Sequence, residues 1–532
     1  MVISKDKTIP RAKTAESVGV CSKTVQGFID ECLELDKELH SIIVLRHGKI
    51  ACEAYRAPFD ENQAQMVYSV SKSFTSTAIG FAIDEGLFSL ETKVLDIFPE
   101  YRKPKRDNNL ENMTVRHLLN MTSGKAVSVF MDRVKDNWLE QIFDSPWYAA
   151  PGEEFAYVSE NMYVLCSMIH KMANQSVLEF LTPRLFEPLG IEDAKWETCP
   201  IGVETGGWGM VIKPMDLAKF TLCYQQMGIY NSEQVIPRWW VEEASKTQSD
   251  NTGYSEEIDT TSGYGYCFPR CGGYKNAYRS DGLFSQFGIV FEDLDSCVII
   301  TAGEIEEQPM RDIVWKYFPK AFIDDDKKAE THEVHIEDYP IVYSEFRSSL
   351  EKHIHAQSMK FSTPVICNAA GFPVSMIPLP GTFMESDKAG NMNKVTLEFF
   401  ENELKITWVE GEEINSVIAG LDGERRWDNV ILGKLRHVTA STAAWNSEKE
   451  LEIHIRPIDV PSKRVIKFIF EPNRVVLMKY YCAPSTRGMI ESLEGNIRSV
   501  VKQPILQNLM INFLPKTTPL IADVTLLGRI SK

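Results

Sequence analysis

Residues 66–75 read MVYSVSKSFT, and they carry the most informative pair of side chains in the 532-residue chain. Ser69 and Lys72 are three positions apart, so on a helix they lie on one face, about one turn from each other. A serine hydroxyl is a poor nucleophile until a base takes its proton, and a desolvated lysine is partly neutral and can act as that base. The backbone N–H of Ser69, at a helix start, would also donate to a developing oxyanion. The stretch therefore predicts a nucleophile and its base at the start of a helix.

The context of this pair is more specific than its spacing. The same Ser-x-x-Lys spacing recurs by chance at Ser4/Lys7, Ser349/Lys352 and Ser499/Lys502. After Lys72, residues 74–85 read FTSTAIGFAIDE, which predicts a largely buried helix that Gly86 would end. By spacing alone, an ordinary polar helix start remains the alternative interpretation of Ser69 and Lys72.

Composition excludes several classes of function. The chain is 44% hydrophobic and 25% charged, as expected of a globular protein of two or more domains. Its formal net charge of −17 argues against a nucleic-acid partner and gives no reason to expect an anionic membrane. No apolar run approaches the roughly 18–20 residues of a membrane span, and residues 1–25 are mostly polar. We therefore expect a cytoplasmic protein that binds neither nucleic acid nor a membrane.

The cysteines and histidines predict no metal site. The eleven cysteines are odd in number and scattered from Cys21 to Cys482, which fits free buried thiols in a reducing compartment better than a disulfide framework. The ten histidines include no His-Glu-x-x-His pattern, and Cys267 and Cys271 lack a second pair at zinc spacing. We expect neither a metal ion nor an organic cofactor.

The order of predicted elements indicates an α/β (α+β) domain followed by a β-rich one. Residues 41–55 and 285–303 each predict two strands around a turn, and the long middle of the chain reads mostly as helix and loop. Strands at both ends with helices between them suggest one sheet closed by the two ends of a domain. The predicted domains are residues 1–322, a linker at 323–378 with a helical stretch around 337–357, and a separate all-β sandwich or barrel at 379–532.

Local patterns support the β-rich region. The charged run DDDKK at residues 324–328 is typical of a linker. Residues 395–400 and 404–409 predict a hairpin, and three further strands follow between residues 451 and 480. This region carries no chemical motif, and Trp408, Trp427 and Trp445 are expected in its core.

Two further segments could complete a site around Ser69. Residues 151–161 read PGEEFAYVSEN, and a Pro-Gly turn before Tyr157 would place this tyrosine in a loop, where it could relay a proton. Residues 278–288 read YRSDGLFSQFG and predict a strand whose backbone N–H near Leu283 could be a second oxyanion donor. Taken alone, Tyr157 could equally be a core tyrosine, and the second segment an ordinary strand entry.

In this order and spacing, the segments resemble the serine β-lactamase and penicillin-binding-protein superfamily, most closely class C β-lactamase-related hydrolases and esterases. The resemblance covers roughly residues 10–320. Its supporting segments are VRHLLNMTSG at 115–124, GGWGM at 206–210, PMDLAKF at 214–220 and QVIP at 234–237. It implies an antiparallel sheet flanked by helices and an acyl-enzyme on Ser69. Lys72 would be the general base or an electrostatic support, a choice disputed among related enzymes.

The resemblance also assigns the remaining site residues. Tyr157 matches the tyrosine of the family's Tyr-x-Asn motif, and the N–H groups of Ser69 and of the Gly282-Leu283 region would form the oxyanion hole. Ser159 stands where that motif has Asn. Ser159-Glu160-Asn161 also fits a Ser-x-Asn motif, so Tyr157 and Ser159 compete for the proton relay. We favour Tyr157, because the Pro-Gly turn precedes it at the class C-like distance.

The third motif departs from the family pattern. Ser280-Asp281-Gly282 stands where β-lactamases have Lys-Thr-Gly or His-x-Gly, a position that normally offers positive charge to a substrate carboxylate. Asp281 therefore argues against β-lactams and D-Ala-D-Ala peptides. We expect a serine hydrolase of a small ester or amide. A β-lactamase or D-Ala-D-Ala carboxypeptidase-like enzyme, and a non-catalytic ligand-binding or scaffold protein, remain alternatives. Oligomeric state is left open.

Overall fold

The computed structural model describes residues 7–103, 108–125, 136–323, 330–362, 392–410, 413–432, 435–461, 463–483 and 525–531. Contacts divide this part of the chain between Glu337 and Asp338 into an N-terminal unit and a C-terminal unit. The predicted boundaries at 322/323 and 378/379 remain predictions, and the charged run at residues 324–328 lies outside the described residues. No helix in the described ranges combines the length and apolar character needed to cross a bilayer.

The N-terminal unit is built on an antiparallel sheet with helices on both faces. Its strands are β1 (Leu39–Arg46), β2 (Lys49–Tyr55), β3 (Gln65–Met66), β4 (Lys195–Trp196), β5 (Met210–Ile212), β6 (Ile229–Tyr230), β7 (Glu233–Gln234), β8 (Ala277–Gly282), β9 (Gln286–Phe291) and β10 (Ser296–Ala302). Its helices are α1 (Ser22–Glu34), α2 (Ser71–Asp84), α3 (Val94–Ile97), α4 (Asn108–Asn112), α5 (Val115–Leu119), α6 (Trp138–Asp144), α7 (Glu160–Ala173), α8 (Val177–Leu181), α9 (Glu187–Leu189), α10 (Pro214–Gln225), α11 (Arg238–Ser245) and α12 (Glu307–Ala321).

The main sheet joins the two ends of this unit. Its strand order is β2-β1-β10-β9-β8, so the first strands lie beside the last ones, as the sequence predicts. Ile42 on β1 pairs with Ile300 on β10 in an antiparallel register. Because successive side chains of a strand point to opposite faces, Ile43 enters one hydrophobic core while Ile42 and Val44 enter the other. This confirms the predicted antiparallel sheet flanked by helices.

Each face of the sheet has its own helical layer. On one face, Phe28 of α1 packs against Phe318 of α12 with ring centroids 5.2 Å apart. On the other, Phe74 of α2 stacks on Phe220 of α10 at 3.9 Å. α2 is therefore a central helix, and it is buried from Ser71 to Ala82.

A buried helix that carries serine and threonine must satisfy their hydroxyl groups. Ser73, Thr75 and Ser76 of α2 donate to the carbonyl oxygens of Cys267, Gly206 and Tyr266 at 2.9, 2.9 and 2.7 Å. The helix ends as predicted, because Gly86 adopts φ +76° and its N–H donates to the Ile83 carbonyl at 2.9 Å. Two distant segments, around 206 and 266, are thereby attached to α2.

The C-terminal unit is a β-barrel. Its elements are α13 (Glu351–Ile354), β11 (Ser358–Ser362), β12 (Met392–Phe399), β13 (Glu403–Glu410), β14 (Glu413–Gly420), β15 (Arg426–Leu432), β16 (Leu435–Ser447), β17 (Glu450–Pro457), β18 (Lys463–Glu471), β19 (Val475–Ala483) and β20 (Thr525–Ile530). The strand order β14-β13-β12-β11-β20-β19-β18-β17-β16-β15 closes through a pairing of β14 with β16, at Gly420 and Thr442. The all-β prediction is confirmed, with the barrel as the observed form.

Three details of this unit differ from the sequence prediction. The helical stretch expected around 337–357 is limited to α13, since the N–H groups of Phe346, Ser349 and Leu350 donate to side chains instead of to carbonyls of a preceding turn. Residues 358–362, assigned to the linker, form β11 between β12 and β20. Trp408 and Trp445 are buried, but Trp427 is 51% exposed because it shares the outward face of β15 with Ile431.

All nine cysteines whose side chains are described are free thiols, and eight of them are buried. Burial of a small apolar side chain explains their positions without a redox role. Eight of these nine cysteines are thus the free, buried thiols that the sequence indicated.

Gly80 tests how closely α2 is packed. A β-carbon at this position would lie 2.5 Å from the buried Trp240 ring. At an exposed helix position, replacing glycine by alanine raises the free energy of unfolding by up to about 1 kcal/mol. At the buried position 80, Gly80→Ala should instead lower the free energy of unfolding by about 1–3 kcal/mol, because the added methyl group overpacks the core. Chemical denaturation measures this. Gly27→Ala is the matched control, because its β-carbon would meet only the half-buried Tyr317 side chain, at 3.0 Å. A Gly80→Ala variant as stable as the wild type would contradict the packing.

Candidate active site

Ser69 lies in a short 3₁₀ turn, Tyr68–Val70, that leads into α2. The preceding residue, Tyr68, has φ +46°, a left-handed conformation that is uncommon for an aromatic residue. Its buried ring packs edge-on against Phe284 at 5.0 Å, and its carbonyl accepts a hydrogen bond from Ser71 Oγ at 2.5 Å. These contacts hold the backbone of the turn and so fix the position of Ser69.

Lys72 lies directly beside Ser69. Its side chain is almost fully buried, at 1% exposure, and Nζ is 2.6 Å from Ser69 Oγ. Nζ also donates to the Gly207 carbonyl oxygen at 2.6 Å and lies 4.6 Å from the centre of the Tyr157 ring. The structure thus brings together the three side chains that the sequence singled out.

Burial changes the acid–base properties of Lys72. Removal of the ammonium from water lowers the pKa of Lys72 to about 7, while electrostatic interactions with Cys267, Glu160 and Asp281 act in the opposite direction. A substantial fraction of this amine is therefore neutral near pH 7. A neutral amine 2.6 Å from a hydroxyl can accept its proton.

The pKa of Tyr157 is shifted in the opposite direction from that of Lys72. Burial raises the pKa of its phenol well above the ordinary value, and a hydrogen bond with Ser69 offsets only part of this. The ring packs edge-to-face on Tyr264, with centroids 6.2 Å apart. The lowered pKa leaves the Lys72 amine able to accept a proton, and the raised pKa keeps the Tyr157 phenol protonated. Lys72 is therefore the candidate base and Tyr157 the candidate acid.

Ser159 and Gly207 together form the wall next to Lys72. A β-carbon at Gly207 would lie 2.5 Å from the Ser159 carbonyl oxygen, so only glycine fits this approach. Within the described ranges, Lys72 bonds to the Gly207 carbonyl rather than to the Ser159 hydroxyl. Sequence reasoning missed Gly207 as a partner of Lys72, although the doublet Gly206-Gly207 was visible as a close-approach pattern.

Asn161 is not part of the hydrogen-bonded centre. It is buried in the first turn of α7, and its Nδ2 faces the Met121 sulfur at 3.6 Å. No hydrogen bond in the described part of the chain joins its side chain to Ser69 or Lys72. The assignment of Asn161 to the supporting region of the site stays a prediction.

Gly282 brings the edge of the main sheet against the Ser69 turn. β8 is the edge strand of that sheet, and a β-carbon on Gly282 would lie 2.3 Å from the Val67 carbonyl oxygen. Half-buried Leu283 follows, and Phe284 and Ser285 make the turn into β9 with φ of +67° and +62°. Only a residue without a side chain allows β8 and the turn to approach this closely.

The carboxylate of the third motif, Asp281, is ion-paired rather than free. Arg279, which is fully buried, places Nη2 2.6 Å from Asp281 Oδ2, and Arg311 Nη1 lies 3.7 Å from the same oxygen. Both guanidinium groups are withdrawn from solvent, and Arg311 is also within ion-pair distance of Glu257 and Glu307. The motif therefore offers no exposed cation to a substrate carboxylate. Within the ranges that the structure describes, no group of three His, Cys, Asp or Glu side chains could hold a metal ion.

Comparisons with known proteins show which proteins the chain is similar to. The family model described as "Beta-lactamase" matches residues 39–310. The chain is 25% identical over 264 residues to the 6-aminohexanoate-dimer hydrolase of Paenarthrobacter ureafaciens, covering 46% of this chain and 64% of that protein. It is 27% identical over 159 residues to the D-aminopeptidase of Brucella anthropi, covering 29% of this chain and 30% of that protein.

The chain thus spans less than two thirds of the length of these curated relatives. Among solved structures, the octameric penicillin-binding protein homologue from Pyrococcus abyssi is similar, with a TM-score of 0.46 and 16% identity. That comparison covers 86% of this chain and 97% of the other.

The buried lysine should make stability depend on pH. In the folded state Lys72 loses its proton near pH 7, whereas an unfolded lysine keeps it to about 10.5. Between these values the unfolded state binds more protons, so wild-type stability rises with pH relative to Lys72→Met, by up to about 1.4 kcal/mol per pH unit. Denaturation of both proteins from pH 6 to 9 should show a stability difference that is flat below pH 7 and then changes in favour of the wild type. A constant difference would contradict a neutralised lysine.

Proposed function

The chain belongs to the beta-lactamase family, and we propose that it is a serine hydrolase that forms an acyl-enzyme on Ser69 with a small ester or amide. The observation that carries this proposal is the buried Lys72 amine 2.6 Å from Ser69 Oγ. A serine in this contact has a base available at neutral pH, which an ordinary surface serine lacks. Ser69, Lys72 and Tyr157 are the proposed catalytic residues.

In the acylation step, Ser69 Oγ attacks the substrate carbonyl carbon while the neutral Lys72 amine takes the hydroxyl proton. The carbonyl π electrons move to its oxygen, where negative charge develops. Backbone N–H groups of Ser69 and Leu283 are the proposed donors to that oxygen, supported by the close approach of Gly282 to the Val67–Val70 turn. Lys72 is then an ammonium, still bonded to the Gly207 carbonyl.

Collapse of this adduct requires a proton on the leaving group. The Tyr157 phenol, which burial keeps protonated, is proposed to donate to the departing nitrogen or oxygen and to regain a proton from the Lys72 ammonium. Water then attacks the acyl carbon with Lys72 again as base, and Ser69 Oγ recovers its proton as the acid product leaves. Protons and electrons balance over the cycle.

The substrate class follows from what the site lacks. The Ser280-Asp281-Gly282 segment presents no exposed cation that could bind a substrate carboxylate. This disfavours β-lactams and D-Ala-D-Ala peptides as substrates. Two relatives are named as an aminohexanoate-dimer hydrolase and an aminopeptidase, which favours an amide over an ester. The free thiols suit a reducing compartment, and we infer the cytoplasm.

Labelling with a fluorophosphonate tests the nucleophile. We expect one adduct, on Ser69, that is absent in Ser69→Ala, as measured by intact-mass spectrometry and peptide mapping. Ser349→Ala is the matched control, because Ser349 has the same Ser-x-x-Lys spacing but lies exposed beside Glu448, and it should label as the wild type does. A folded wild-type protein that takes no label would favour a non-catalytic binding protein. Rapid turnover of a cephalosporin would favour a β-lactamase.

The role of Tyr157 can be separated from that of Ser159 by leaving-group chemistry. A p-nitrophenolate leaves without a proton, whereas an anilide nitrogen needs one. Tyr157→Phe should therefore lower kcat for an anilide by about 10²–10⁴-fold and affect a p-nitrophenyl ester much less. Ser159→Ala, which removes the competing hydroxyl, should change the two rates equally and little. Equal losses for both substrates in Tyr157→Phe would exclude proton donation by this tyrosine.

A further inference from the structure

Glu160 is a buried acid that neither the Tyr-x-Asn motif nor the Ser-x-Asn motif explains. It is the first residue of α7 and only 3% exposed. Its Oε2 is buried without a hydrogen-bond partner among the described residues. A carboxylate removed from water without compensation is costly, so its presence here calls for a physical reason.

Glu160 lies close enough to Lys72 to raise the pKa of the amine electrostatically. It follows Ser159, whose carbonyl oxygen is in close contact with Gly207, and the Gly207 carbonyl is the acceptor for Lys72. α7 packs directly against α2, the helix that carries Lys72. Glu160 also begins a helix of 14 residues, where the helix dipole favours a negative charge. A negative charge at this position would act on Lys72 through protein from which water is excluded.

Among the described residues that act electrostatically on Lys72, Asp281 is the only carboxylate besides Glu160, and it forms ion pairs. Burial raises the pKa of the Cys267 thiol to about 12, so this thiol is neutral where Lys72 titrates. Asp281 is bound to the buried Arg279 and faces Arg311. The phenols of Tyr157 and Tyr264 have pKa values raised well above normal by burial and carry no charge near neutral pH.

We propose that Glu160 is a positioning residue for the acyl transfer, acting through Lys72: its carboxylate stabilises the ammonium that forms when Lys72 takes the Ser69 proton. This inference rests on the proposed function. Burial alone would make Lys72 a weak base, because it favours the neutral amine too strongly. One uncompensated carboxylate nearby raises the proton affinity of the amine toward the working pH, where general-base catalysis is most effective.

The pH dependence of acylation tests this role. The probe is a fluorophosphonate, whose second-order rate constant with Ser69 is measured from pH 5 to 9. In the wild type the rate should rise with pH and level off once Lys72 is neutral. The rising part of this pH–rate profile is its acidic limb. Glu160→Gln removes a negative charge, so the acidic limb should move to lower pH by about half a unit or more. The plateau should fall several-fold, because Lys72 becomes a weaker base.

Two variants distinguish an electrostatic role from a structural one. Glu160→Asp keeps the charge and should restore most of the wild-type limb. Glu204→Gln alters another buried acid, which accepts from the Val177 and Leu178 N–H groups at 3.1 Å. It should lower stability without moving the limb. If the glutamine variant does not fold, Glu160→Met replaces it, since methionine has a similar volume and buries no amide.

The outcomes separate this inference from the proposed function. A wild type that does not react with the fluorophosphonate overturns both. A wild type that reacts, with an acidic limb unchanged in a folded Glu160→Gln or Glu160→Met variant, overturns the role of Glu160 alone. A limb that shifts equally in Glu160→Asp and Glu160→Gln also overturns it, because charge would then not be the cause.

Discussion

Burial of the Lys72 amine is the constraint on which the candidate site depends. In water a lysine is an ammonium and no base, and only desolvation brings its pKa down to about 7. That desolvation costs stability on the order of 5 kcal/mol, which the surrounding core must offset. The two hydrophobic cores on either face of the main sheet, with α2 inside one of them, provide the apolar burial that does so.

The contacts that stabilise α2 are also those that build the site. The segment around Gly206 and the segment around Tyr266 accept hydrogen bonds from hydroxyl groups within the helix. The same first segment delivers the Gly207 carbonyl to Lys72. Gly207 and Gly282 permit two backbone segments to approach the Ser69 turn more closely than any side chain would allow. Packing and chemistry are therefore satisfied by one set of interactions.

The third motif shows how this member of the beta-lactamase family differs at its site. An exposed cation is replaced by Asp281, and the structure surrounds that carboxylate with two buried guanidinium groups. Both guanidinium groups are buried, and Arg311 is shared with Glu257 and Glu307, so the cluster offers a substrate carboxylate no free cation to bind. In the described part of the chain, Glu160 differs from Asp281 because no arginine or lysine pairs with it, and its Oε2 is buried without a hydrogen-bond partner. The charges around Ser69, rather than the fold, are what departs from the family pattern.

Local patterns in the sequence determined the Ser69–Lys72 pair, the end of α2 at Gly86 and the hairpin of β12 and β13, because each depends on residues a few positions apart. The order of predicted strands and helices also indicated the sheet closed by the two ends of the N-terminal domain. The tertiary structure alone decided that Gly207, 135 positions from Lys72, accepts its hydrogen bond, that Arg311 lies near Asp281, and that Trp427 faces outward. Such contacts join residues far apart in the chain, so no local spacing encodes them.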